Sequence, residues 1–308
     1  MSESEMIDGE MGEVAPVGRV EPGHDGGKRR SAVRFASAAF ACICLVSVAF
    51  GAWVISLGPL PLERARQVST TIVDRNGKLL RAYAMADGRW RLPVDARKDV
   101  DPTYLNLLLA YEDQGFRSHG GVDPLALARA AGQLITHGHI VSGGSTITMQ
   151  LARLMEPRRE RSLSAKLRQI VRALELEHQL DKDQILNLYL ALAPYGGNLE
   201  GIRAASIAYF GKEPKRLSLT EAALLVALPQ SPETRRLDRY PDAARAGRDR
   251  VLDRMVEEHH ISQEEAAQAK AVPVPRMRKR MPILAPHFRQ SGGCDDEGCA
   301  GYQANAGL

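Results

Sequence analysis

Aromatic residues are scarce in this 308-residue sequence: phenylalanine, tyrosine and tryptophan together make up 5%. A reader of single-stranded nucleic acid relies on rows of stacking rings, so the composition argues against a nucleic-acid partner. An excess of one charge sign is also lacking. The 41 lysines and arginines face 37 acidic residues, a net charge of +4. That fits an acidic substrate or an anionic membrane surface without demanding either. Cysteine is limited to four positions. Cys42 and Cys44 lie in an apolar run, where they are expected to pack. Cys294 and Cys299 lie near the C-terminus and either pair in an oxidising compartment or stay free. No zinc-type ligand set accompanies them. His137 and His139 flank Gly138 without a third ligand, so no metal site is read. The P-loop spacing GxxxxGKS/T does not occur.

One long apolar run is present. No charged side chain occurs from Phe35 to Leu62, and about 20 apolar helical residues cross a bilayer core. The span is expected over residues 35–57, ended by Gly58-Pro59 and Pro61. Lys28, Arg29, Arg30 and Arg34 precede it, which places the N-terminus in the cytoplasm and everything after residue 60 outside. The alternative is a cleaved signal peptide. The run is long for one, and its best small-residue site, Ala49–Gly51, lies inside it. Residues 1–34 read as a disordered cytoplasmic tail.

Beyond the span, Thr70–Asp74 and Lys78–Ala84 alternate around Asn76-Gly77, a hairpin signal in a membrane-proximal stretch over 58–95. Helix signals then dominate residues 96–270. Asp101-Pro102 and Asp123-Pro124 each place a cap before a proline at the first helical position. Ser164 is expected to open a helix with Leu167, Ile170, Val171 and Leu174 on its core face. Asp181 with Gln184, Ser218 with Glu221 and Ser262 with Glu265 have capping-box spacing. The fold class expected is mainly α with a small β element near the membrane, followed by a linker and tail over 271–308.

Three segments carry chemistry. In YEDQGFRSHGGVDP (111–124), Glu112 ends an apolar helix. A carboxylate there is partly desolvated, which suits a general base. Asp113 is placed to orient a substrate or hold a cation, and Gly115 loosens a turn that returns Phe116 and His119 over the carboxylates. A lone Glu-Asp pair is more often an ordinary charged helix end. In SGGSTITMQLARLM (142–155), two glycines, Ser145 and Thr146 precede a helix bearing Gln150 and Arg153. This is either a phosphate cradle at a helix N-terminus or a glycine turn with a Ser/Thr cap. In RSLSAKLRQIVRALELE (161–177), Lys166, Gln169 and Arg172 recur at i, i+3 and i+6. With Arg158, Arg159 and Arg161 upstream they suit a pyrophosphate or lipid headgroups, although a solvated charged face is the commoner explanation of such a run.

In this order the three segments resemble glycosyltransferase family 51, the glycan-polymerising domain of class A penicillin-binding proteins. The likeness runs from about Thr71 to about Phe288 and continues in ILNLYLALAPYGGNLEGIRAASIAYFGK (185–212) and LTEAALLVALPQSP (219–232). DGRWRLPV (87–94), APYGGNLEG (193–201) and LAPHF (284–288) look like the 1C type. The resemblance implies a lysozyme-like helical domain with a small mobile jaw resting on the membrane. It implies an inverting transfer in which lipid II is the acceptor, the growing glycan chain is the donor and undecaprenyl pyrophosphate leaves. Glu112 falls on the general base. Asp113, Phe116, His119, Ser145, Thr146, Gln150, Arg153, Lys166 and Gln169 fall on substrate-binding positions. No cofactor is implied as required. A divalent cation, Mg2+ or Mn2+, is admitted at the pyrophosphate. Membrane lipids and other cell-wall synthesis proteins are the further partners implied.

The sequence departs from the family at several points. Gln169 replaces a usual glutamate, Ala165 an arginine, Met149 a glutamine and Ala191 an asparagine. The 1C type tends to carry glutamine at the first of these, and an amide still hydrogen-bonds phosphate. After Arg289 the sequence matches nothing in the family. No SxxK, SxN and KTG set occurs, so no acyl-serine chemistry and no penicillin binding are expected. Two rival readings are a catalytically weak scaffold for peptidoglycan precursors, drawn from Gln169, and a lysozyme-type hydrolase. The basic strip argues against the hydrolase, which must protonate a glycosidic oxygen and manage water.

Overall fold

A computed structural model describes residues 25–137, 144–156 and 162–284. Expectations for residues 1–24, His139, Arg158, Arg159, Arg161, Cys294 and Cys299 lie outside these. The chain divides into two compact units, residues 1–58 and 59–308.

In the first unit, α1 (Asp25–Ser56) carries a stretch, Ser37–Ser56, long and apolar enough to cross a membrane. Phe40, Leu45 and Val48 are exposed on it. Cys42 and Cys44 do not pack as expected: both are exposed free thiols. A helix apolar on all sides is stable only within an apolar surround.

The second unit begins with α2 (Leu62–Arg66). The expected hairpin follows as β1 (Thr71–Val73) and β2 (Leu79–Ala82), antiparallel with Ile72 opposite Arg81. Its turn is set by the Asp74 carboxylate, which accepts from the backbone N–H groups of Asn76 and Lys78. Next comes β3 (Trp90–Arg91), then α3 (Ala96–Asp99), α4 (Pro102–Glu112), α5 (Pro124–His137), α6 (Ile147–Met155), α7 (Leu163–Gln179) and α8 (Lys182–Leu192). β4 (Leu199–Glu200) precedes α9 (Ile202–Phe210), α10 (Leu219–Ala227), α11 (Pro241–Glu257) and α12 (Gln263–Ala271).

Caps written in the sequence start these helices. The Asp101 carboxylate accepts from Thr103 N–H at 2.9 Å, and Pro102 sits where no intrahelical donor is needed. Asp181–Gln184, Ser218–Glu221 and Ser262–Glu265 each form a reciprocal capping box. One boundary differs. α7 is capped by Ser162, whose hydroxyl accepts from Ala165 N–H, so the helix starts before Ser164.

The core is built on α10, whose residues 222–228 are all buried. α10 packs on α4 and α11, and α6 packs on α7 and α8. α7 buries only part of the face expected. Leu167 and Leu174 are exposed, Leu174 by 51%, while Val171, Arg172, Ala173 and Leu176 face inward. Arg172 tolerates burial because Glu156 and Glu175 hold its guanidinium at 2.7 Å each. β3 and β4 pair in parallel, joining the two segments that carry the 1C-type variants. Glu200 closes this joint by bonding Arg89 and Arg91.

Candidate active site

α4 ends at Glu112, where the chain leaves the helix and two buried side chains fold it back. The Asp113 carboxylate accepts from Ile147 N–H at 2.9 Å and binds His119 Nε2 at 2.8 Å. Gly121 N–H donates to His119 Nδ1 at 3.2 Å, so in the neutral ring Nε2 carries the proton and donates to Asp113. Thr146 Oγ1 donates to Gly121 O at 2.6 Å and accepts from Met149 N–H. Gly121 has φ +87°, and a Cβ there would lie 2.7 Å from Glu177 and 2.8 Å from Ala173 O, so only glycine fits.

This clasp ties the first motif to the start of α6 and returns His119 to a carboxylate, Asp113, as expected, while other readings change. Asp113, His119 and Thr146 are enclosed by protein and hold one another, rather than lining an open surface. Phe116 is 1% exposed, sits in the core and receives Lys182 on its ring. The start of α6 is no free anion cradle, because Asp113 and Thr146 already occupy the N–H groups of Ile147 and Met149.

Glu112 itself remains half-buried at the surface. Its Oε2 accepts from Gln150 Nε2 at 2.7 Å and its Oε1 from Gln230 Nε2 at 2.9 Å. Gln150 is held from behind by Tyr189, whose hydroxyl donates to its Oε1 at 3.3 Å. Burial, with the Glu112 charge second, pushes the Tyr189 hydroxyl well above its ordinary range, so it stays protonated and can only donate here.

One turn along α6 from Gln150, exposed Arg153 opens the cationic part of the site. Lys166 on α7 donates to the Ser145 hydroxyl. Burial, then the nearby Arg153 charge, holds the Lys166 ammonium below the usual lysine range. Both residues line a cavity of about 640 Å3 with Gln169, Arg168 and Arg172 of α7, and with Arg64, Arg89 and Arg91 from the membrane-proximal stretch. That volume suits a drug-sized or sugar-phosphate ligand. Glu112 lies outside this lining, at the Gln150 end of the same helix. The structure thus joins Gln150 to Glu112 and Ser145 to Lys166, gathers Arg153, Lys166 and Gln169 on the cavity, and encloses Asp113, Phe116, His119 and Thr146 within the protein.

Ala165, at a usual arginine position, also lines the cavity, whereas Met149 and Ala191 are buried. The acidic side chains that reach the cavity already have arginine partners: Asp87 pairs with Arg89, Glu200 with Arg89 and Arg91, and Glu156 with Arg168 and Arg172. Among the described residues no group of three His, Cys, Asp or Glu side chains could hold a metal. The residues present do not fit a dedicated divalent-cation cage.

Residues 76–256, more than half of the chain, match the family model described as Transglycosylase. The chain belongs to the transglycosylase family. It is 47% identical over 232 residues to penicillin-binding protein 1C of Escherichia coli, covering 75% of this chain and 30% of that protein. It is 37% identical over 238 residues to penicillin-binding protein 1A of Pseudomonas aeruginosa, covering 75% and 28%. A crystal structure of penicillin-binding protein 1A from Haemophilus influenzae aligns at 21% identity and a TM-score of 0.37, over 70% of this chain and 22% of that one. The transglycosylase chain therefore spans under a third of the length of the curated relatives it matches. The matched residues include Glu112, the α6 motif and the α7 basic strip, and also Gln230, which the motifs marked only by its place in LTEAALLVALPQSP.

Proposed function

We propose that this transglycosylase polymerises lipid II into β-1,4-linked glycan strands outside the cytoplasmic membrane, releasing undecaprenyl pyrophosphate. The observation that carries it is the pairing of one amide-held carboxylate, Glu112, with the cation-rich cavity that Arg153 and Lys166 line along the same helix pair.

Each Glu112 oxygen accepts one amide donor and keeps a lone pair. One of these takes the proton from the acceptor's 4-hydroxyl as its oxygen attacks the donor's anomeric carbon. The bond from that carbon to the diphosphate oxygen breaks, the configuration inverts from α to β, and the negative charge passes to the leaving diphosphate. Arg153, Lys166 and Arg168 meet that charge where it develops, which is a large term in such reactions. Ser145 and Gln169 offer neutral hydrogen bonds beside them. The clasp of Asp113, His119 and Thr146 fixes the base relative to these cations. No step in this reading needs a divalent cation.

The apolar helix α1 reads as a single-pass anchor with a cytoplasmic N-terminus, by the charges that precede it. Leu125, 81% exposed, and the exposed Leu167 and Leu174 are apolar side chains of the exported unit open to lipid tails. The 308 residues as given are expected to form no acyl-serine adduct with a penicillin.

Labelled lipid II in detergent is the test. The chain should give long glycan polymer, and Glu112→Gln should lower the rate by about 10^2–10^4-fold, the usual weight of a general base. Binding without polymer would favour a scaffold. Shortening of pre-formed glycan would favour a hydrolase.

A further inference from the structure

The segment after α10 makes a contact with Glu112 that bridges 118 residues of sequence. α10 ends at Ala227, and Pro229 prevents it from continuing. Ser231 N–H turns back to Leu228 O, which leaves the Ala227 carbonyl at the helix end to be satisfied from elsewhere. Arg235 supplies the donor: its Nη1 reaches Ala227 O at 2.5 Å and Gln230 Oε1 at 3.3 Å. A guanidinium only donates, so Gln230 must turn its oxygen toward Arg235 and its NH2 toward the carboxylate. On the other side of Glu112, the Tyr189 hydroxyl fixes Gln150 in the same sense.

We infer that Gln230 is a positioning residue for the base, oriented by Arg235, and that with Gln150 it clamps the Glu112 carboxylate. This inference rests on the transfer reading above. Two amide donors favour the charged form of a carboxylate over the protonated one. They also fix the plane of the carboxylate, so that the free lone pairs aim at one spot. Gln230 is exposed in the open site, where water competes for the bond. A sugar covering it removes that competition, so the clamp tightens when substrate is bound.

The other groups that face Glu112 do not replace the clamp. Tyr104 and Tyr189 are pushed well up by burial and remain neutral. Arg235 lies close enough to feel the Glu112 charge, and its Nη1 bonds Gln230 and Ala227. Arg250 of α11 acts on Arg235. Arg254 of α11 donates to the Tyr111 carbonyl and covers the Tyr111 ring.

The variants are Gln230→Met, close in shape but without donors, and Gln230→Glu, which sets a second carboxylate beside the first. Polymerisation of labelled lipid II is followed as kcat and KM. For Gln230→Met, kcat should fall about tenfold with KM within about twofold, the size of one hydrogen bond to a charged group. Gln230→Glu, which puts an acceptor where a donor stood, should lose more of kcat, again at nearly constant KM, and Arg235→Met less. A purely structural role would lower the melting temperature, and a substrate-binding role would raise KM. If both Gln230 variants melt with the parent and keep its kcat, the inference is overturned.

A second readout does not need turnover. Carboxyl 13C resonances of labelled glutamate, assigned by difference with Glu112→Gln, report the hydrogen bonding of Glu112 directly. The Glu112 resonance should shift in both Gln230 variants. If the parent makes no polymer but this shift appears, the transfer reading fails while the clamp stands. If it makes polymer and the resonance is unmoved, the clamp fails alone.

Discussion

Around Glu112 each side chain has a defined partner: Gln150 and Gln230 on its oxygens, Tyr189 and Arg235 behind them, and the Asp113–His119–Thr146 clasp beneath. Around Lys166 the arrangement is looser. Arg153 is exposed, Ser145 is the hydrogen-bond acceptor assigned to Lys166, and seven cationic side chains share the cavity with three acidic ones. The first region resembles a core and the second a surface that awaits an anion. The contrast is physically reasonable. A base must be aimed before the reaction, so its hydrogen bonds are satisfied within the protein. A diphosphate leaves at every turn, so its site keeps surplus charge that is repaid only when ligand is present.

Four experiments bear on this contrast. The largest effect is expected at the rigid end. Asp113→Ala orphans the buried Ile147 N–H and frees His119, and should cost about 3 kcal/mol of stability, seen as a lower melting temperature in detergent. A loss under about 1 kcal/mol would mean that the clasp is not what joins α4 to α6. At the looser end Lys166→Met should fold normally and lose about tenfold in kcat/KM, roughly 1.4 kcal/mol, with the loss shrinking as salt is raised. Because burial and Arg153 lower the Lys166 pKa, the parent should lose activity on the alkaline side as that ammonium deprotonates. In Arg153→Met a repelling charge is gone, the protonated form is favoured, and the alkaline limb should move to higher pH. A limb that stays in place would assign it to another group. The smallest effect is at Leu174→Ser, an exposed position, where stability in detergent should change by no more than about 0.5 kcal/mol. A larger loss would show that α7 buries the face the sequence pattern first indicated.

Elements with local causes were legible from the residues. The hairpin at Asn76-Gly77 and the caps at Asp101, Asp181, Ser218 and Ser262 each depend on atoms within four residues of chain. The motif order also led to Glu112, Gln150, Arg153 and Lys166, which the fold gathers on one face. Where the reading went astray, the deciding partner was remote. α7 carries leucines at helical spacing on two sides, and only Glu156 and the packing of α6 make the Arg172 side the inner one. Phe116 has the pattern of a ring poised over a carboxylate, yet it enters the core under Lys182. Gln230 follows a proline that stops a helix and carries no local sign that its amide meets residue 112.

The amino-acid order alone thus determined where helices start and stop, the apolar run long enough for a bilayer, and the types of group available for proton transfer and anion binding. These follow from backbone sterics, capping and periodicity, which act over a few residues. Tertiary structure alone decided which face of α7 is buried, that β3 meets β4, and that two glutamines grip one carboxylate. Those outcomes rest on contacts between distant segments, whose energies exist only once the chain has closed on itself.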